Sequence, residues 1–233
     1  MKQLLSILIL LSFLTSFGQD VNINPFKNVK VLDGITIYLH KSDSNKILKW
    51  VDISAIQQID TKIENDTLTV KLKKKTTKND DEEYAFHLNY TEKLNSIYAD
   101  NGSSVSSPDE IINFNNKITL ISKNGSSIWH NGEFPFEFEI INLLLENNGS
   151  ININGKGKNL NITSKSSNGF SGNDSLSCEN VNAIVSNGSE VRIQKAKNVT
   201  VDIRNGSKII IKGNPILKII NNDVGTIIEK DAQ

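Results

Sequence analysis

The triplet Asn-Gly-Ser, or a near copy of it, returns along this chain at almost even intervals, and no other feature restricts the fold as strongly. Asn-Gly pairs stand at Asn101-Gly102, Asn124-Gly125, Asn148-Gly149, Asn168-Gly169, Asn187-Gly188 and Asn205-Gly206, with a degenerate copy at Asn222-Asp223, so the spacings are 23, 24, 20, 19, 18 and 17 residues. Self-similarity at such a period marks stacked supersecondary units rather than a mixed globular core.

Each unit has the same internal grammar. In KNVTVDIRNGSKIIIKGNP, Val199, Val201 and Ile203 alternate with polar residues, Asn205-Gly206 turns the chain, and Ile209 and Ile211 resume the alternation before Gly213-Asn214-Pro215 turns it again. The period is two, that of a strand, and helical spacing is not sustained. An all-β fold follows.

Two architectures produce such units. Asn-Gly between alternating runs is a strong hairpin signal, because both central residues of a tight type I′ turn need positive φ, which gives an antiparallel β meander or sandwich. Alternatively each unit coils once around a common axis, so that equivalent residues stack about 4.8 Å apart in a parallel β-helix. The recurrence of one corner once per pair of strands, and of Ile, Val and Leu at inward positions, favours the coil; stacked Asn side chains can also form amide ladders along it.

The segment ahead of the repeats has its own strands and turns. FKNVKVLDGITIYL runs through Asp33-Gly34, IENDTLTVKLKKK through Asn65-Asp66, and the polar block from Lys73 to Glu83 reads as a solvated hairpin tip. These phrases, followed by LNSIYADNGSSV and the succession of NGS corners, resemble the GIN-domain family of auto-transporter adhesin head domains from about Pro25 to Ile228. The resemblance implies a right-handed parallel β-helix, an exported bacterial protein and an adhesive role. Relatives tend to carry Gly-Ser-Gly at the corners where this chain has Asn-Gly-Ser. Asn also tolerates left-handed geometry, so the fold is expected to survive the change.

The chain opens MKQLLSILILLSFLTSFGQD: one lysine, an apolar run from Leu4 to Leu14, then Ser16 and Gly18 at the positions a signal peptidase reads. Residues 1–18 are therefore expected to be a signal peptide. Residues 19–233 form one domain, with strands and a loop over about 25–93 and cornered coils over 94–228. No later stretch is long and apolar enough for a transmembrane span, so the mature protein is expected in the periplasm, at the outer membrane or outside the cell. Cys178 is the only cysteine, which excludes an internal disulfide framework and suggests a small buried side chain. The formal net charge of zero recruits neither nucleic acid nor an anionic membrane.

Chemistry is sparsely signalled. His40, His87 and His130 lie far apart in sequence and lack partners at metal-ligand spacing, so neither a metal nor a cofactor is expected. No nucleophile elbow or phosphate loop occurs. Glycoside hydrolysis needs two carboxyl groups at a set separation, but Glu146, Asp174, Glu179, Glu190 and Asp202 fall at offsets of −2, +6, −8, +3 and −3 from the nearest corner. They form no acidic column, and an enzyme is not expected. Trp129, Phe134, Phe136 and Phe138 cluster in IWHNGEFPFEFEI, either as thickened core or as an aromatic contact patch for a glycan or protein ligand. The function expected from all of this is a non-catalytic envelope or surface module presenting repeated polar turns to such a ligand, with a periplasmic scaffold as the alternative.

Overall fold

A computed structural model describes residues 20–48, 58–74, 84–107, 114–130, 137–167, 169–172, 176–223 and 227–231. Residues 1–19, the charged stretch at 75–83, Phe134, Phe136, Asn168 and Asp174 lie outside the described residues; the strands on either side of that stretch, Thr67–Leu72 and Ala85–Tyr90, belong to different sheets, so they are not the two arms of the hairpin expected there. The first strands are β1 (Val21–Asn22), β2 (Asn28–Val31), β3 (Thr36–Lys41), β4 (Lys46–Leu48), β5 (Ile59–Glu64), β6 (Thr67–Leu72), β7 (Ala85–Tyr90), β8 (Leu94–Ala99) and β9 (Ser104–Ser107). Long and short strands then alternate: β10 (Phe114–Lys123), β11 (Ser127–His130), β12 (Glu137–Glu146), β13 (Ser150–Ile153), β14 (Lys156–Lys165), β15 (Gly169–Gly172), β16 (Ser177–Ser186) and β17 (Glu190–Ile193). The series closes with β18 (Lys195–Ile203), β19 (Lys208–Lys212), β20 (Ile216–Asn222) and β21 (Ile227–Asp231).

These strands form two sheets, an 11-stranded one that collects the short strands and a 10-stranded one that collects the long ones. From β8 onward each strand pairs in parallel with the strand two places later in sequence, which is the signature of a solenoid and not of a hairpin meander. The coil expected from the repeats is the fold.

Parallel registers stack like on like. One inward column of the long-strand sheet runs Leu68, Val29, Ile97, Leu120, Leu143, Ile162, Ala183 and Val201. Its counterpart in the short-strand sheet runs Ile37, Val105, Ile128, Ile151, Phe170, Val191 and Ile209. Every residue of both columns is buried and belongs to one continuous core. Each Val, Leu, Ile or Phe of these columns contributes roughly 1.5–3 kcal/mol by leaving water, in a chain whose single cysteine allows no internal disulfide.

The N-terminal segment joins this stack out of order. β2 lies between β6 and β8, and β3 between β7 and β9, so the first rung in sequence is sandwiched between the second and third. The end beyond it is closed by antiparallel pairs: β5 with β6, β4 with β7, and β1 with β4. Antiparallel closure keeps the stack from presenting a long parallel edge there.

Outside the core, polar residues also stack. Asn161 donates to Asn142 (2.9 Å) and Asn182 to Asn161 (3.0 Å); Asn180 donates to Asn159 (3.1 Å) and Asn198 to Asn180 (2.9 Å). Each internal Asn both gives and accepts, the bond pattern of an amide ladder. Asn180→Asp removes one donor and sets a carboxylate between two rungs. We expect a loss of about 1–2 kcal/mol in urea unfolding at neutral pH.

Candidate functional site

At Asn101-Gly102, Asn124-Gly125, Asn187-Gly188 and Asn205-Gly206 both residues have positive φ, 55 and 74, 51 and 75, 57 and 73, and 54 and 68°. That is the type I′ requirement, met here at the corner of a solenoid. The serine that follows is as important as the pair. The hydroxyls of Ser103, Ser189 and Ser207 donate to the carbonyls of Asp100, Ser186 and Arg204 (2.7 Å each), closing the turn from inside. Ser126 and Ser189 also accept the N–H of Ser103 and Ser167 in the preceding rungs (3.1 Å each). All of these serines are buried.

One of the expected corners shifts, and a second is described only in part. In the rung after β12 the positive φ values belong to Asn147 (51°) and Asn148 (63°), so Asn148-Gly149 is not the turning pair and Gly149 takes the place of the serine. In the rung after β14 the left-handed residue is Ser166 (49°), while Gly169 opens β15 at φ 122° and Asn168 lies outside the described residues. The corner ladder follows the true corners: Asn124 donates to Asp100 (2.7 Å), Asn147 to Asn124 (3.0 Å), and Asn205 to Asn187 (2.8 Å). An Asn has two donors and two acceptor lone pairs, so an internal member still has one of each at the surface.

Asp100 anchors that ladder. It also accepts the Tyr98 hydroxyl at 2.6 Å. Burial acts to raise the Asp100 carboxyl, but the hydrogen bonds from Tyr98, Asn124 and the Asn101 N–H outweigh it and hold the group below its ordinary range. Burial first, and then this bond to Asp100, pushes the Tyr98 phenol up to about 12.

The aromatic patch is differently composed from its expected form. Phe138 is 5% exposed and turned inward, with its ring over Gly157, where an added Cβ would come within 2.4 Å of Phe138 Cδ2. Phe134 and Phe136 lie outside the described residues. Trp129 does stand at the surface, 49% exposed, on the outer face of the short-strand sheet.

On the same face the stacking order brings together two histidines that are 47 residues apart in sequence. His40 Nε2 and His87 Nδ1 are 2.6 Å apart, and the Tyr38 ring stacks on His87 with centroids 4.9 Å apart. Nothing local signals this pair; it follows from β3 and β7 being neighbours. Among the described residues no group of three or more His, Cys, Asp and Glu is placed to hold a metal ion.

A cavity of about 490 Å³ runs across the starts of β12, β14, β16 and β18, lined by Phe138, Gly157, Cys178 and Ala196 with Lys156, Lys158, Glu179, Lys195 and Lys197 around them. Charges of opposite sign follow one another along the stack, as between Lys197 and Glu179 (3.6 Å) and, at the corner, Lys123 and Glu146 (2.6 Å). In-register parallel strands would otherwise bring like charges to one strand spacing. Cys178 is 5% exposed, and burial pushes its thiol up to about 12, which disfavours the thiolate form.

Comparison with known proteins agrees with this architecture. Residues 25–215 match the family described as "Putative auto-transporter adhesin, head GIN domain". A crystal structure of a "putative adhesin" from Bacteroides fragilis superposes with a TM-score of 0.75 at 15% identity, covering 92% of this chain and 96% of that one. A second "putative adhesin", from Parabacteroides merdae, gives 0.63 at 14% identity, with 92% and 95% covered. A "putative lipid binding protein" from Parabacteroides distasonis gives 0.61 at 13%, with 92% and 96% covered. Among curated proteins, none matches the chain. The match over most of the solenoid, corners included, makes this chain a member of that GIN-domain family.

Proposed function

We propose that this protein is an exported, non-catalytic β-solenoid of the cell envelope that acts as an adhesin-like binding module for a glycan or protein ligand. Membership of the GIN family over residues 25–215 carries the reading. The apolar leader before Gly18 supports export. A stiff stack that repeats the same surface groups rung after rung suits weak contacts made many times, where avidity exceeds the affinity of any one contact.

Protease shaving of intact producing cells, with fractionation in parallel, tests the location. The expected result is loss of the protein from whole cells while a periplasmic marker is spared. Protection until the outer membrane is opened would sink the adhesin reading. The alternative would then stand, a periplasmic scaffold, which draws support from the internal engagement of the corner side chains. Lipid binding, named for one structural relative, is less well supported: the space between the sheets is filled by packed core, and the surface cavity is edged by lysine and glutamate.

A further inference from the structure

The strand registers draw five outward side chains into one line across the short-strand sheet: His87, Tyr38, Ser106, Trp129 and Asn152. The two large rings, Tyr38 and Trp129, stand two strand spacings apart, ~10 Å, with only the Ser106 side chain between them. Tyr38 is held by its stacking on His87, and Trp129 is half-exposed. Next to this line Ser104 and Ser127 share a hydroxyl–hydroxyl hydrogen bond of 2.9 Å.

Three properties of this face narrow its partner. First, β9, β11 and β13 carry no Asp, Glu, Lys or Arg, whereas β17 and β19 of the same sheet carry Glu190, Arg192 and Lys208. Second, the polar groups that flank Trp129, those of Ser106 and Asn152, are a hydroxyl and an amide, each able to donate and accept, as a sugar hydroxyl does. Third, Asn152 Oδ1 is shut off from solvent and meets no hydrogen-bond donor among the described residues. An acceptor left in that state is costly, so a ligand hydroxyl that meets it when the side chain turns outward recovers what folding gives up. A half-exposed indole offers the complementary apolar surface for the C–H face of a pyranose ring.

We infer that this face is a subsite for a neutral glycan, with one sugar ring stacked on Trp129 and adjacent hydroxyls bonded to Ser106 and Asn152. The inference rests on the binding-module reading and names its partner class. A charged polysaccharide would find its counter-charges elsewhere on the solenoid, and a lipid chain would find no apolar trough here.

The test is binding of the purified protein to a printed array of neutral oligosaccharides, followed by titration of the strongest hit. The expected result is retention of at least one neutral glycan, with affinity reduced about tenfold or more by Trp129→Ala, retained by Trp129→Tyr, and indifferent to Arg192→Ala. An unchanged thermal midpoint for Trp129→Ala confirms that the loss is local. Absence of any neutral hit, binding that ignores Trp129→Ala, or capture of anionic glycans or a protein alone overturns the inference. Shaving keeps the two proposals separate: surface exposure without glycan binding refutes only the subsite, and glycan binding by a chain confined to the periplasm refutes only the surface role.

Discussion

Replacing Gly149 with alanine is expected to destabilise the protein by about 4 kcal/mol, enough to abolish much of a typical domain's stability. Gly149 holds the corner position that serine occupies at Ser126, Ser189 and Ser207, yet here a Cβ would lie 2.0 Å from the Ser122 carbonyl oxygen and 2.6 Å from its carbonyl carbon. Both are backbone atoms, so no side-chain rotation relieves the clash. The approach is fixed by Ser122 itself, whose hydroxyl donates to the Ser126 carbonyl of its own rung (2.7 Å) and accepts the Ser150 N–H of the next (3.1 Å), fastening the rung of Gly149 to the one before it. Gly125→Ala is the informative contrast. Gly125 sits at φ 75° with nothing within 4 Å of the added methyl, so only left-handed strain applies, about 1–2 kcal/mol. Urea midpoints for both variants at one pH measure the difference. A Gly149→Ala cost no larger than that of Gly125→Ala would show that the corner is not packed as described.

That contrast also shows where local sequence stops being informative. Asn124, Asn187 and Asn205 were legible as corners because each is the only residue of its turn, apart from the glycine, that readily takes positive φ; beside Asn101 stands Asp100, which also tolerates it, yet the Asn-Gly pair turns the chain there too. Glu146-Asn147-Asn148-Gly149 offers two such asparagines, and the chain uses both, pushing the glycine into the serine position. In the next rung Ser166 takes a positive φ, for which the sequence carries no comparable marker. The inward columns were readable for the same reason that most corners were: Val199, Val201 and Ile203 alternate in sequence and are all buried in the fold.

Rung order was not readable, since a parallel strand looks alike whichever neighbour it takes. FKNVKV has the alternation of a strand, but nothing in it says that β8 will pair with β2 and leave β6 on the far side. The candidate site depends on that order, because only the placement of β3 between β7 and β9 aligns His87 and Tyr38 with Ser106 and Trp129. Phe138 shows the converse limit. Its strand pattern admits either face, and the deciding factor is a glycine one rung away, Gly157, whose missing side chain leaves room for the ring.

Stability is expected to fall by about 3 kcal/mol as pH drops from 6.5 to 4, with His130 responsible. His130 is 1% exposed and occupies an inward column between Ser107 and, by register, the strand that ends at Ile153. Burial pulls its pKa down to about 4, and the opposing bond with the Ser107 backbone does not offset this. The folded state therefore keeps His130 neutral in a range where the unfolded chain protonates it near the ordinary value of about 6.5. More protons are bound by the unfolded state throughout that window, so stability is complete above it and is lost as pH falls towards the folded pKa. Asp100 and Asp202 are held below the ordinary carboxylate range, Asp202 chiefly by its bond from Arg204, so their losses begin lower and continue as pH falls through their folded values. His130→Ile matches Ile193 and Ile211 further along the short-strand sheet and removes the titrating group. Urea unfolding at intervals between pH 7 and pH 4 should give a falling midpoint for the native chain and a nearly level one for His130→Ile down to about pH 4.5. Parallel decline of both proteins from pH 6.5 would transfer the acid sensitivity to other groups and would mean that His130 meets water or a proton donor in the folded state.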